Sequence, residues 1–361
     1  MIERDDIIKE NYSRKIRRNH LMDKPNLFKF ATSELSQDAV ILWLLNWSQD
    51  DYKDKNPYLN QCGKEFLDLF TDSSIDKVEK IKLIKQKDFI DIWCEINDDH
   101  LLIIEDKTNT KDHDNQLQKY KNNAKRNVEN LIINYVYYKT GDITPPEKSR
   151  IEGYGYKVVG REKILEILLK YKDKTNSEIL EDYYAYLNQI DENEKQVFIK
   201  SFDEEISKKK CCQKGFFNFL SYNLDLDKSH KGAYWGKVSN PSGGFIGLWW
   251  HSVLCDYCSF YLQFESFNLV LKMKNTSENL SNKAARNKAY KSLCNFTKDK
   301  TKIFGKPEHW GNGKTMTLVH INKEQWLVTD SNNVLQKEKV LEKLHILEKW
   351  LDDFVEYINH S

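Results

Sequence analysis

The sequence predicts an α/β protein, with a central mixed β-sheet flanked by helices and a C-terminal α+β module behind it. Three observations carry that expectation. From residue 88 the chain alternates with period two, Phe89, Asp91 and Trp93 pointing one way and Ile90, Ile92, Cys94 and Ile96 the other, which is a strand. Between residues 101 and 171, short β-branched and aromatic runs alternate with stretches of helical spacing, the order that builds a sheet with helices on its faces. Beyond about residue 208 the character changes: glycine and aromatic residues rise at 232–250 and short extended runs dominate.

Taken in order, residues 32–47 place Leu35, Val40, Leu42, Trp43, Leu44 and Trp47 behind Thr32 and Ser33 as caps, and so read as a buried amphipathic helix. The strand from residue 88 meets turn material at Asn97-Asp98-Asp99-His100, and residues 101–107 resume an extended apolar run, giving a hairpin. Asp112 or Asp114 can cap a helix to about residue 127, 131–139 reads as a strand, and 156–159 is short and extended. Ile164, Leu165, Ile167 and Leu168 make 161–171 helical, with more helix at 179–207. In the second half, 259–265, 269–274 and 316–321 are extended and 282–296 is a helix. A long helix at 334–358 aligns Leu341, Leu344, Leu347, Leu351 and Phe354. The expected division is 1–208, with a core at about 25–190, and 209–361, the boundary falling near 208–214.

Bulk composition narrows the classes. Hydrophobic residues at 40% and nine tryptophans in 361 residues exclude a disordered chain. No apolar run approaches the roughly 18 residues that span a bilayer, and Met-Ile-Glu-Arg-Asp-Asp is no signal peptide, so a cytoplasmic protein without a membrane partner is expected. Seven cysteines at irregular spacings suit reduced thiols. The net charge of +1 announces no polyanion binder, so any phosphate-gripping surface must be local.

The chemistry centres on Asp91, Glu105 and Lys107. Two carboxylates from neighbouring strands offer the hard oxygens that Mg²⁺ prefers. An ammonium two residues beyond the second acid shares its face, where it can hold the attacking water and offset developing negative charge. These are the requirements of metal-assisted phosphodiester hydrolysis. Parity decides whether the three meet: a two-residue loop at Asp98-Asp99 would pair Asp91 with Asp106 and turn it from the others. An odd loop, for instance Asp98–His100 pairing Asp91 with Lys107 and Trp93 with Glu105, sets all three on one face. On the following helix Gln116 and Tyr120 lie one turn apart, where an amide and a phenol can reach a phosphate or a metal-bound water. Glu34 is either a further carboxylate of the site or an acid favouring its helix N-terminus.

Ile90-Asp91 followed by Glu105-Asp106-Lys107 resembles the motif of the PD-(D/E)XK nuclease superfamily, with isoleucine at the proline position. Gln116-Leu117-Gln118-Lys119-Tyr120 resembles the Q-x-x-x-Y motif of its exonuclease-like branch, Glu34 the upstream helical acid, and Ser33 to Ala39 with Trp43 and Trp47 a bacterial subgroup. The resemblance covers about residues 25–190. It implies a restriction-endonuclease-like core, Mg²⁺ or Mn²⁺ as cofactor, a metal contact from the Asp106 carbonyl, and nucleic acid as partner, DNA ahead of RNA. A ribonuclease using the same site, or a non-catalytic binding protein that keeps the fold, are the alternatives; a role in phage defence rests on analogy alone.

In the second module, Lys283, Arg286, Lys288 and Lys291, followed by Lys298, Lys300 and Lys302, form a phosphate-tracking face or a solvated helix. Trp249, Trp250 and Trp310 stack bases or fill a core. Cys255-Asp256-Tyr257-Cys258 has zinc-ligand spacing, with His251 and Cys211-Cys212 as conceivable partners, but reads better as the turn of a hairpin between the strands around Trp250 and Tyr261.

Overall fold

The computed structural model describes residues 24–110, 115–128, 130–225, 232–239, 243–297 and 303–360. The first half is built on a five-stranded mixed sheet in the order β1-β2-β3-β4-β5, flanked by helices as expected. The strands are β1 (Ile81–Lys87), β2 (Ile90–Ile96), β3 (His100–Lys107), β4 (Ile132–Lys139) and β5 (Lys157–Gly160). β1, β2 and β3 pair antiparallel, while β3, β4 and β5 run parallel, each parallel pair joined through a crossover helix. Asp88 and Phe89, both at positive φ (54° and 67°), close the β1–β2 turn, a conformation that matches strand twist in tight hairpins.

Among the described residues six α-helices accompany this sheet: α1 (Glu34–Trp47), α2 (Pro57–Phe70), α3 (Gln116–Asn127), α4 (Pro145–Gly153), α5 (Arg161–Tyr171) and α6 (Glu178–Lys195). Strand alternation divides the side chains between two layers. Ile92, Cys94, Leu102, Ile104, Val136 and Tyr138 pack with residues of α1, α2, α5 and α6. Trp93, Leu101 and Ile103 pack with Tyr120 and Ala124 of α3, and Tyr137 with Leu117 and Ile151 of α3 and α4. The helix expected at 32–47 starts one residue after its cap, Ser33, whose side chain accepts the Ser36 N–H. The structure adds β1, α2 and α4 to the elements read from sequence.

The second half holds a six-stranded antiparallel sheet in the order β10-β11-β9-β8-β7-β6. Its strands are β6 (Tyr234–Val238), β7 (Phe245–Leu254), β8 (Cys258–Glu265), β9 (Asn268–Asn275), β10 (Phe304–Gly305) and β11 (Thr315–Ile321). α8 (Lys210–Ser221), α9 (Asn282–Phe296) and α10 (Lys337–Asn359) cover one face, and the short α7 (Glu204–Lys208) leads into them. Leu248, Trp250, Phe260, Leu262, Phe264, Leu271 and Met273 point into that layer. This apolar cluster begins at Val197, Phe202 and Ile206, ahead of the boundary expected near 208–214. Cys255 and Cys258 flank the β7–β8 turn, where the Cys255 N–H donates to the Cys258 carbonyl at 2.8 Å. Among the described residues no helix is long and apolar enough to cross a membrane.

One sequence reading is corrected, and for Trp250 one of the two alternatives is selected. Arg286 is no phosphate contact: it is 2% exposed, donates to the carbonyls of Gly311 and Thr317, and lies over the Trp310 ring at 3.8 Å. Trp250 is core, stacked on Phe264, and offers no ring to a base. Both sit where the helix layer meets the sheet, so their size is used for packing.

Candidate active site

The β2–β3 register determines what converges. Ile96 pairs with His100 across a turn of Asn97, Asp98 and Asp99, the first two at positive φ (51° and 64°). The loop is odd, as parity required, but begins one residue earlier than Asp98. Trp93 therefore stands opposite Ile103, and the same register carried one step beyond the Ile92–Ile104 pair sets Asp91 across from Glu105. Parity is unchanged, and Asp91, Glu105 and Lys107 share one face.

Beyond that last paired position the Asp91 side chain takes over the backbone's role. Its Oδ2 accepts the Asp106 N–H at 2.9 Å, which fixes the carboxylate against the motif strand. The Lys107 ammonium ion-pairs with Glu105 Oε1, lies 3.7 Å from Asp91 Oδ2, and donates to the Asp106 carbonyl at 3.0 Å. Glu105 is fully buried, whereas the Asp91 side chain keeps 26% of its surface in solvent. Burial, and then the Asp91 charge, push the Glu105 carboxyl up to about 8 despite the neighbouring lysine. For Lys107, burial works against the charged form, but Glu105, Asp91 and Glu34 outweigh it and hold the ammonium above its ordinary value.

This donor set fits a divalent cation. Both acids present hard oxygens, and Glu105 Oε2 is buried without a hydrogen-bond partner. A buried carboxyl whose proton affinity is raised by a neighbouring carboxylate, as that of Glu105 is by Asp91, is relieved by a dication more fully than by one ammonium.

The remaining predicted residues surround this centre unevenly. Glu34 Oε1 accepts the Thr108 N–H at 3.2 Å and the Thr110 hydroxyl at 2.6 Å, so the first turn of α1 is tied to the end of β3. It does not gather with Asp91 and Glu105 into a three-acid cluster, although its charge is felt at Lys107. Gln116 Nε2 donates to the Tyr120 hydroxyl at 2.5 Å; both lie on α3, and Tyr120 packs with Trp93, Leu101 and Ile103 on one face of the sheet. Burial raises the Tyr120 phenol, with Glu105 and Asp91 adding to the effect. α3 starts from Asn115 in a left-handed conformation (φ 61°); Asp112 and Asp114, the expected caps, lie outside the described residues.

The opposite face of β3 holds residues the sequence reading missed. The Asp106 side chain is fully buried there, so its carbonyl, not its carboxyl, is on the side of Lys107. Gln37 Nε2 donates to Asp106 Oδ1 and, at 3.2 Å, to the Lys107 carbonyl, while its Oε1 accepts the Thr140 hydroxyl at 2.6 Å. Asp38 lies 3.6 Å from Lys85, and burial pushes both the Asp106 and Asp38 carboxyls above their ordinary values. Glu34, Gln37 and Asp38 follow the i, i+3, i+4 rule, a polar stripe within an apolar helix that was available as a signal.

Lys283, Lys288 and Lys291 are exposed on α9, in the second module and away from the Asp91–Glu105 pair; Lys298, Lys300 and Lys302 lie outside the described residues. Among the described residues a separate group, Asp225, His251 and Glu348, brings ligand atoms within 4.8 Å of one another. There His251 Nε2 stands 2.9 Å from Asp352 Oδ1.

Residues 25–202 match the family model of the PD-(D/E)XK nuclease superfamily. No curated protein and no solved structure matches the chain.

Proposed function

Residues 25–202 belong to the PD-(D/E)XK nuclease superfamily, and from that premise we propose that the protein is a metal-dependent nuclease that hydrolyses the phosphodiester bonds of DNA. The observation that carries the reading is the meeting of Asp91, Glu105 and Lys107 on one sheet face, with a buried Glu105 oxygen that no donor satisfies. Mg²⁺ or Mn²⁺ bound here would supply Lewis acidity and an acidified water. Asp91 and Glu105 would hold the ion, with the Asp106 carbonyl as a further contact. Lys107, kept protonated by its carboxylate neighbours, orients the attacking water and offsets charge on the phosphoryl oxygens. Gln116 and Tyr120 align the phosphate from α3, and Glu34 anchors the end of the motif strand.

The test is an incubation of purified protein with linear DNA, circular DNA and RNA, with Mg²⁺, with Mn²⁺ and with chelator. Metal-dependent cleavage is expected, with DNA cut ahead of RNA. Lys107→Ala should reduce the rate by about 10²–10³-fold, the scale of removing one charge-stabilising donor, while the far-ultraviolet circular dichroism stays unchanged. Full activity in that variant would refute the assignment.

A further inference from the structure

Where the two modules meet there is a cleft of 940 Å³ lined by six lysines and only two carboxylates. Both acids are already engaged: Glu147 with Lys139 at 2.7 Å, and Asp142 with Arg161 at 3.6 Å and Lys214 at 3.5 Å. Lys210, Lys237 and Lys323 make no ion pair among the described residues. In a chain of net charge +1, this is a local concentration of unneutralised positive charge.

The position of the cleft ties it to the Asp91–Glu105 centre. Asn109, on its wall, follows Lys107 by two residues, and Lys139 is the β4 register partner of Lys107. At its other end the wall is the sheet face that α8, α9 and α10 leave uncovered. The register places Tyr234 beside Trp249, and Val238 beside Phe245, on that face. The Tyr234 and Trp249 rings lie 4.9 Å apart, and both are half-buried. They also line a second hollow of 750 Å³, which carries the surface onward to Tyr261 and Lys274. Lysines and then aromatic faces thus follow one another from the motif strand outward.

We propose that this strip binds a single strand of nucleic acid and feeds its adjoining phosphodiester to the Lys107 site. The inference rests on the nuclease reading and gives it a substrate class. Unpaired ammonium groups meet phosphates as point charges. Rings lying on an open sheet can stack only on bases that are not already stacked in a duplex. Neither feature reads base identity, so binding is independent of sequence.

The experiment uses the full chain in chelator, where binding is separated from cleavage. Fluorescein-labelled single-stranded DNA, single-stranded RNA and duplex DNA of equal length are titrated by anisotropy at several salt concentrations. Hydrolysis of bis(p-nitrophenyl) phosphate with Mn²⁺ is followed in parallel, as a diester too small to span the strip. Trp249→Ala should weaken binding of a single strand by about 5- to 150-fold, the scale of losing one base stack, and Trp249→Phe should restore most of it. The double variant Lys237→Glu, Lys323→Glu should flatten the salt slope by about 1.4 or more, the share of two single-strand phosphate contacts. All three variants should hydrolyse the small diester at the wild-type rate. Duplex binding as tight as single-strand binding, or affinity and salt slope untouched by these changes, overturns the proposal. If wild type cleaves nothing yet these variants lose strand binding, the nuclease reading fails and the strip survives.

Discussion

At the scale of single residues, Glu105 shows how a functional carboxylate is held against its own preference. With its carboxyl raised to about 8 by burial and by Asp91, ionising it in the metal-free fold is unfavourable. The sign follows from linkage: a raised folded-state value contributes stability that is complete below the ordinary carboxylate range and is lost as pH rises through about 8. The metal-free protein should therefore melt at progressively lower temperature between about pH 4.5 and 8, and Mg²⁺ should restore the loss at the alkaline end. Glu105→Gln should remove this part of the slope, melt higher than wild type at pH 8 in chelator, and be inactive. Thermal scans across pH check it; a variant that tracks wild type at every pH would show that Glu105 is not the strained group. Asp91, Glu105 and Lys107 were legible in the sequence because a strand has period two, so parity alone tests their convergence. Gln37 was missed although the Glu34, Gln37, Asp38 stripe marks a polar face on α1, because the partners that give its amide a role, Asp106, Lys107 and Thr140, come from distant stretches of chain.

At the scale of elements, α9 separates what periodicity reveals from what it conceals. The helix was legible over its whole length, and its exposed lysines with it. Arg286 was misplaced because charge was counted without asking which stripe it occupies. Ala289 and Leu293, three and seven positions on, are buried beside it, so Arg286 belongs to the inward face. Its guanidinium satisfies the Gly311 and Thr317 carbonyls and covers Trp310, pinning β11 and the chain just ahead of it to the helix. Arg286→Ala should cost about 2–4 kcal/mol, combining lost charge-assisted hydrogen bonds and the ring contact. Denaturant unfolding measures this, and Lys283→Ala on the solvent side of the same helix should change stability by less than about 0.5 kcal/mol. Equal effects of the two would place the arginine at the surface after all. β1 escaped the sequence reading for a related reason. As the edge strand its lysines keep it wet, a device that discourages edge pairing and also erases the apolar signature. α2 carried a readable start in Asn56-Pro57, a cap followed by proline at the first helical position.

At the scale of the whole molecule, the decisive contact is the seam where α6 lies against α8, because it sets the lysine cleft relative to the motif strand. Arg161 pairs with two buried acids of the first half, Glu194 of α6 at 2.7 Å and Asp142 ahead of α4 at 3.6 Å, and Asp142 in turn crosses to Lys214 of α8 at 3.5 Å. Gly215 makes the approach feasible, since a Cβ there would lie 2.2 Å from the Glu194 carbonyl oxygen. Backbone on both sides leaves no flexible atom to yield, so Gly215→Ala must move one helix away from the other. The two apolar clusters lie on either side of this seam, one ending near Ile190 and the other beginning at Val197, so each should keep its own core. A loss of about 1–3 kcal/mol is expected, with faster amide exchange confined to α6, α8 and the cleft. Cleavage of long strands should fall further than hydrolysis of a small diester, because only the long substrate bridges the two halves. If both reactions fell together, the seam would be supporting the Asp91–Glu105 centre itself, and the two halves would act as one catalytic unit.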